Sequence, residues 1–94
     1  MAANTKVRLH ILVQGNVQGV GYRWFLRSLA NRLGISGWVR NLYSGDVELE
    51  AQGEKTPLES FLKELRGGHE YAQVAAVKTR DLPVQSESAG FYIK

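Results

Sequence analysis

Between positions 15 and 23 the chain reads Gly-Asn-Val-Gln-Gly-Val-Gly-Tyr-Arg, with three glycines inside seven residues. Glycines so spaced let a backbone turn until several N–H groups point into one small space. The helical pattern that follows adds its own unpaired N–H groups and the positive end of its dipole. Such a construction is an anion site, and a phosphoryl group is its usual occupant. The first turn of that helix has no Asp or Glu to complement the dipole; it carries Arg23. A cation there is disfavoured unless an anion shares the place. The alternative for these residues is a plain turn with an arginine on a solvated face. Arg23 offers a fork of N–H donors and a permanent charge, able to clamp two phosphoryl oxygens. Asn41, eighteen residues further on, is no general base, but its side-chain carbonyl can accept a hydrogen bond from water and its amide can donate one to a phosphoryl oxygen. It is a candidate for orienting an attacking water; its alternative is a strand-end residue capping a turn.

The missing groups narrow the reaction. There are no cysteines, so thiolate chemistry, disulfides and cysteine-based zinc sites are excluded. His10 and His69 fall in different segments and read as surface or structural residues. The first carboxylate is Asp46, and Ser28, Ser36 and Ser44 have no base beside them. With no nucleophile, acid–base pair or metal cluster in sight, a reaction here needs a leaving group that departs without a proton. A carboxylate leaving a phosphoryl group meets that requirement; an alkoxide does not.

Local patterns indicate how these residues are positioned. Val7, Leu9, Ile11 and Val13 alternate with Arg8, His10, Leu12 and Gln14, which predicts a half-buried strand. Tyr22, Phe25, Leu26, Leu29, Ala30 and Leu33 fall on one face of a helix that Gly34 ends. Gly37 to Leu42 predicts a second strand, Tyr43 to Asp46 a turn, and Val47, Leu49 and Ala51, alternating with Glu48, Glu50 and Gln52, a third strand in a hairpin. Thr56-Pro57-Leu58-Glu59 reads as a capping box opening a second helix, with Leu58, Phe61, Leu62 and Leu65 as its apolar stripe and Gly67-Gly68 as its stop. A fourth strand is expected over about Tyr71 to Thr79, where Ala75, Ala76 and Val77 break the alternation. Pro83 and Ser86-Glu87-Ser88 suggest a loop, and Phe91 to Ile93 a short closing strand at an edge.

The order βαββαβ plus a short strand predicts an α+β, ferredoxin-like two-layer sandwich: an antiparallel sheet with two helices on one face. In that topology the first two strands run the same way, so the glycine loop and Asn41 arrive at one edge of the sheet. A single domain over residues 1–94 is expected, with residues 1–6 as a flexible arm.

Hydrophobic content of 44% is ordinary for a globular chain. No apolar run approaches the ~18 residues needed to cross a bilayer, and the first residues show no apolar secretory segment. The expectation is a cytoplasmic monomer without a membrane partner. The net charge of +3 hides an asymmetry: residues 1–45 hold six basic and no acidic residues, while residues 46–94 hold six basic and nine acidic ones. The basic half would draw anionic ligands if its charges gathered on one face.

The stretch Gly15 to Arg23 resembles the first signature of the acylphosphatase family. Gly37-Trp38-Val39-Arg40-Asn41, followed by Gly45, Val47 and Gly53, resembles the second. The resemblance implies hydrolysis of the carboxyl–phosphate anhydride of a small acyl phosphate to a carboxylate and inorganic phosphate, without metal or other cofactor. It implies that Arg23 holds the phosphoryl group together with backbone N–H groups of Gln18, Gly19, Val20, Gly21, Tyr22 and Arg23, that Asn41 orients the water, and that no covalent intermediate forms. Inorganic phosphate or sulfate should occupy the same site. Tyr22 stands where the family more usually has phenylalanine, and Gln18 is expected to shape the loop.

Two other functions fit parts of the pattern. A non-catalytic anion-sensing domain would use the same loop and arginine. A single-stranded RNA-binding module shares the βαββαβ order, but it needs aromatics on the open face of the first and third strands. Those positions hold Arg8, His10, Leu12, Gln14, Glu48, Glu50 and Gln52, so no nucleic-acid partner is expected.

Overall fold

The computed structural model describes residues 5–19, 21–69, 72–86 and 90–94. The alternating residues form strands β1 (Lys6–Asn16), β2 (Ser36–Asn41) and β3 (Val47–Glu54), and the two amphipathic stretches form helices α1 (Tyr22–Arg32) and α2 (Lys55–Arg66). Strands β4 (Gln73–Leu82) and β5 (Phe91–Ile93) complete a sheet of order β4-β1-β3-β2-β5. The first four strands pair antiparallel, and β5 adds one parallel pair, beside β2.

The core lies between one face of the sheet and the two helices. It takes Leu9, Ile11 and Val13 from β1, Val39 from β2, Val47, Leu49 and Ala51 from β3, Tyr22, Leu26, Leu29 and Ala30 from α1, and Leu58, Phe61 and Leu65 from α2. Each large side chain so buried contributes about 1.5–3 kcal/mol, which is why the period-two and period-3.6 patterns sit where they do.

Four details depart from expectation. The ordered strand β1 already includes Lys6, paired with Glu54, so the paired chain reaches into the arm expected at residues 1–6. Helix α2 begins at Lys55, not after Thr56: β3 runs straight into it, Glu54 is its N-cap with no side-chain cap bond, and the Lys55 N–H donates to the Thr5 carbonyl at 3.2 Å. Thr56 and Pro57 therefore lie within the first turn, where a proline removes no intrahelical bond. Strand β4 runs on to Leu82; Tyr71, the expected start, lies outside the described residues, as do Glu87 and Ser88 of the expected loop. The broken alternation at Ala75 and Ala76 is a β-bulge. Gln14 pairs with Ala76 and Gly15 with Val74, so Ala75 is the extra residue.

The open face of the sheet is polar. Arg8, only 2% exposed, donates to the Glu50 carboxylate at 2.7 and 3.0 Å and to the Gln52 side chain at 3.3 Å. Gln52 in turn holds both backbone groups of Gln85, at 2.7 and 2.9 Å. The segment following β4 thus lies over this face, which explains why an arginine and a glutamine are buried there.

Candidate active site

The loop from β1 to α1 starts at the bulge. Gly15 adopts φ +139°, and a Cβ there would run into the backbone of Gln73 and stand 2.7 Å from the Ala75 nitrogen. Only glycine permits the close approach of β4 at this point. Val17 then enters the core, 1% exposed, and pins the loop from below; the sequence patterns did not single it out. Gly19 and Gly21 have φ +73° and +80° with open space where a Cβ would be. Their requirement is conformational, not steric.

Gly21 is the N-cap of α1. No side chain caps this helix start, and its first turn is free of acidic residues. The N–H groups of Tyr22 and Arg23 therefore belong to the set that a helix leaves without intrahelical partners. Val20, expected in the same cradle, lies outside the described residues.

Gln18 ties this loop to the turn between β2 and β3. Its Nε2 donates to the Leu42 carbonyl at 2.7 Å and to the Asp46 carbonyl at 2.8 Å. The turn is closed by Leu42 N–H to Asp46 O at 2.9 Å and Gly45 N–H to Leu42 O at 3.1 Å. A glutamine reaching across twenty-odd residues thus sets how the two loops face each other, which gives the expected loop-shaping a definite geometry.

Asn41 is the last residue of β2, paired with Val47. It lines a recess of about 320 Å³ with Gln18, Leu42 and Tyr43. Its Oδ1 is buried and has no hydrogen-bond partner among the described residues. A buried acceptor left unmatched costs about 1–3 kcal/mol.

Arg23, in the first turn of α1, is half-exposed and makes no ion pair or side-chain hydrogen bond with the described residues. It lines a second recess, of about 430 Å³, with Trp24, Arg27, Tyr92 and Ile93. The fold thus brings Gln18 and Asn41 to one recess while the Arg23 side chain lines another. Gly19, Gly21 and the Tyr22 backbone sit in the loop joining Gln18 to Arg23.

The Tyr22 ring points the other way. It is buried in the core, and its hydroxyl donates to the Leu65 carbonyl at 2.8 Å. Burial pushes the phenol well above its ordinary pKa, so it stays neutral. Leu65 lies in the last turn of α2, where carbonyls lack intrahelical donors. This carbonyl accepts from the Gly68 N–H beyond the helix at 3.1 Å, and the hydroxyl, the one atom by which Tyr22 departs from phenylalanine, adds a second donor.

The histidines lie elsewhere. His10 Nε2 is 2.7 Å from Glu48 on the open face, and Arg40 Nε donates to the same carboxylate at 2.7 Å. These bonds hold the Glu48 carboxyl below the usual range, the His10 contact being the largest cause. His69 stacks on Phe25, with centroids 4.6 Å apart. The basic residues of the first half do not share one face. Arg8 and Arg40 pair with carboxylates of β3, while Arg23, Arg27 and Arg32 lie on α1. Among the described residues no three metal-ligating side chains gather, and no helix is long and apolar enough to cross a membrane.

A family model for acylphosphatase matches residues 9–93. An acylphosphatase of Bifidobacterium longum is 46% identical over 83 residues, covering 88% of this chain and 86% of that protein. One of Clostridium beijerinckii is 40% identical over 88 residues, covering 94% and 98%. The crystal structure of an acylphosphatase from Bacillus subtilis is similar with a TM-score of 0.89 at 31% identity, over 94% of this chain and 98% of that one. With its glycine loop, its uncapped helix start and the asparagine tied in beside them, the chain belongs to the acylphosphatase family, hydrolases of acyl phosphates.

Proposed function

We propose that this chain hydrolyses acyl phosphates by direct attack of water on phosphorus, with Arg23 and the loop amides holding the phosphoryl group and Asn41 aiming the water. The observation that carries the reading is the Asn41 side chain, which lines a recess beside the loop that Gln18 clamps and whose Oδ1 has no hydrogen-bond partner among the described residues. A water in that recess, hydrogen-bonded to the carboxamide once it turns toward it, has a defined position next to the loop. The backbone N–H groups of Gln18, Gly19, Val20, Gly21, Tyr22 and Arg23 receive the phosphoryl oxygens. The Arg23 side chain is long and makes no ion pair with the described residues; it folds over the bound group and balances its charge.

The water oxygen forms a bond to phosphorus as the bond from phosphorus to the acyl oxygen breaks. The carboxylate leaves with the electron pair, and the water's proton passes to the phosphate or to solvent. A carboxylate needs no proton to depart, which matches a recess that Asn41 lines with Gln18, Leu42 and Tyr43 among the described residues. Positioning and charge stabilisation carry most of the barrier in phosphoryl transfer, and this site supplies both without a metal.

The test is hydrolysis of a small aromatic acyl phosphate, with phosphorylated alkyl alcohols as controls, for the natural chain and two variants. Arg23→Ala should lose both phosphate binding and turnover. Asn41→Ala should keep phosphate binding and lose turnover by ~100-fold or more. Equal loss of binding in the two variants would contradict the division of roles. Phosphate binding without any turnover in the natural chain would make it an anion sensor.

A further inference from the structure

Arg23, Arg27 and Asn31 stand one turn apart along a single row of α1, and this row faces β5. Asn31 uses its whole carboxamide on the strand edge: the Phe91 N–H donates to its Oδ1 at 2.9 Å, and its Nδ2 donates to the Phe91 carbonyl at 3.2 Å. The two arginines have no such use. Neither makes an ion pair with a described residue, and Arg27 lies against the Trp24 ring, its guanidinium carbon 5.1 Å from the ring centre. Trp24 is itself 59% exposed. Between these residues and β5 lies the recess of about 430 Å³.

Two cations one turn apart repel each other. Arg23 stands at the positive end of the dipole, in a first turn with no acidic residue, and Arg27 is at the middle of the helix. One phosphoryl group answers for Arg23 but not for Arg27. We propose that this recess receives the acyl part of the substrate, and that Arg27 makes the protein prefer acyl phosphates bearing a second anionic group about one helical turn (~5.4 Å) from the phosphorus. The assignment rests on the reading of Arg23 as the phosphoryl-binding residue. Trp24 has two parts in it. Its ring holds the Arg27 guanidinium in place by a cation–π contact, and its exposed face covers the hydrocarbon between the two anionic ends.

A matched pair of substrates tests this: butyryl phosphate and succinyl phosphate, which differ by a terminal carboxylate. In the natural chain kcat/KM should favour succinyl phosphate by about tenfold, the scale of one charge-assisted hydrogen bond. The preference should lie in KM and shrink as salt is raised. In Arg27→Met the ratio of the two kcat/KM values should fall to about one, and Arg27→Lys should restore most of it. A merely structural role for Arg27 would lower both substrates alike and leave the ratio standing, which overturns the proposal. So does hydrolysis of both substrates by the natural chain at equal kcat/KM, a result that leaves the catalytic reading intact. Hydrolysis of neither overturns both.

Discussion

Tyr22 is the residue at which the site and the core meet. Its backbone belongs to the loop that turns into α1, while its ring and hydroxyl reach the far end of α2 at Leu65. The sequence marks it only as an aromatic on a helical stripe. The partner of its hydroxyl lies 43 residues away and depends on how the helices pack. Tyr22→Phe leaves the ring and removes one of two donors to the Leu65 carbonyl, the Gly68 N–H remaining at 3.1 Å; we predict a loss of about 1 kcal/mol in stability, measured as a fall of roughly 4–8 °C in Tm. An unchanged Tm would mean that water replaces the hydroxyl. Gln18 teaches the same lesson. Its type and place were legible as part of a motif, but its two acceptors, Leu42 and Asp46, are backbone carbonyls, which no side-chain pattern encodes.

Among the elements, the loop between β1 and α1 depends on glycine for two different reasons, and the two can be separated by substitution. At Gly21 the obstacle is a left-handed backbone with empty space around it; at Gly15 it is the backbone of β4 itself. We predict that Gly21→Ala costs about 1–2 kcal/mol, and that Gly21→Asn costs less because asparagine tolerates that conformation. Gly15→Ala should cost at least ~3 kcal/mol, because the bulge at Ala75 must open. Denaturant unfolding of the three variants checks the order, and a Gly15→Ala variant no weaker than Gly21→Ala would contradict it. The bulge also explains why the fourth strand was the weakest of the sequence patterns. Its alternation is interrupted because one residue of β4 has no opposite number in β1. The early start of α2 has a similar origin: a strand that passes directly into a helix leaves the Thr56 capping signal nothing to cap.

At the scale of the molecule, the two faces of the sheet divide the work. One holds the core, and the other a set of ion pairs centred on β3. Glu48 has its folded-state pKa held below 4.5, chiefly by the His10 hydrogen bond and then by Arg40. A depressed carboxylate stabilises the fold above its unfolded pKa, and that contribution is lost as pH falls through the folded value. We predict that Glu48→Gln is less stable than the natural chain at pH 7 and that the difference narrows as pH falls below the ordinary carboxylate range. Unfolding curves at three pH values would show it, and a gap as wide at pH 3 as at pH 7 would contradict the assignment. Much of this architecture was readable in the chain. Periodic apolar residues dictate which segments become strands and helices, because burial rewards that spacing locally. The glycine loop and Arg23 suggest an anion site, and the two motifs together resemble the acylphosphatase family, to which the chain belongs. What only the folded molecule decided was which groups meet: the parallel β5 against β2, the tie from Gln18 to the hairpin turn, the separate recess lined by Arg23, and the unmatched oxygen of Asn41. Those are contacts between distant segments. They depend on packing geometry and backbone carbonyls, which leave no trace in the order of side chains.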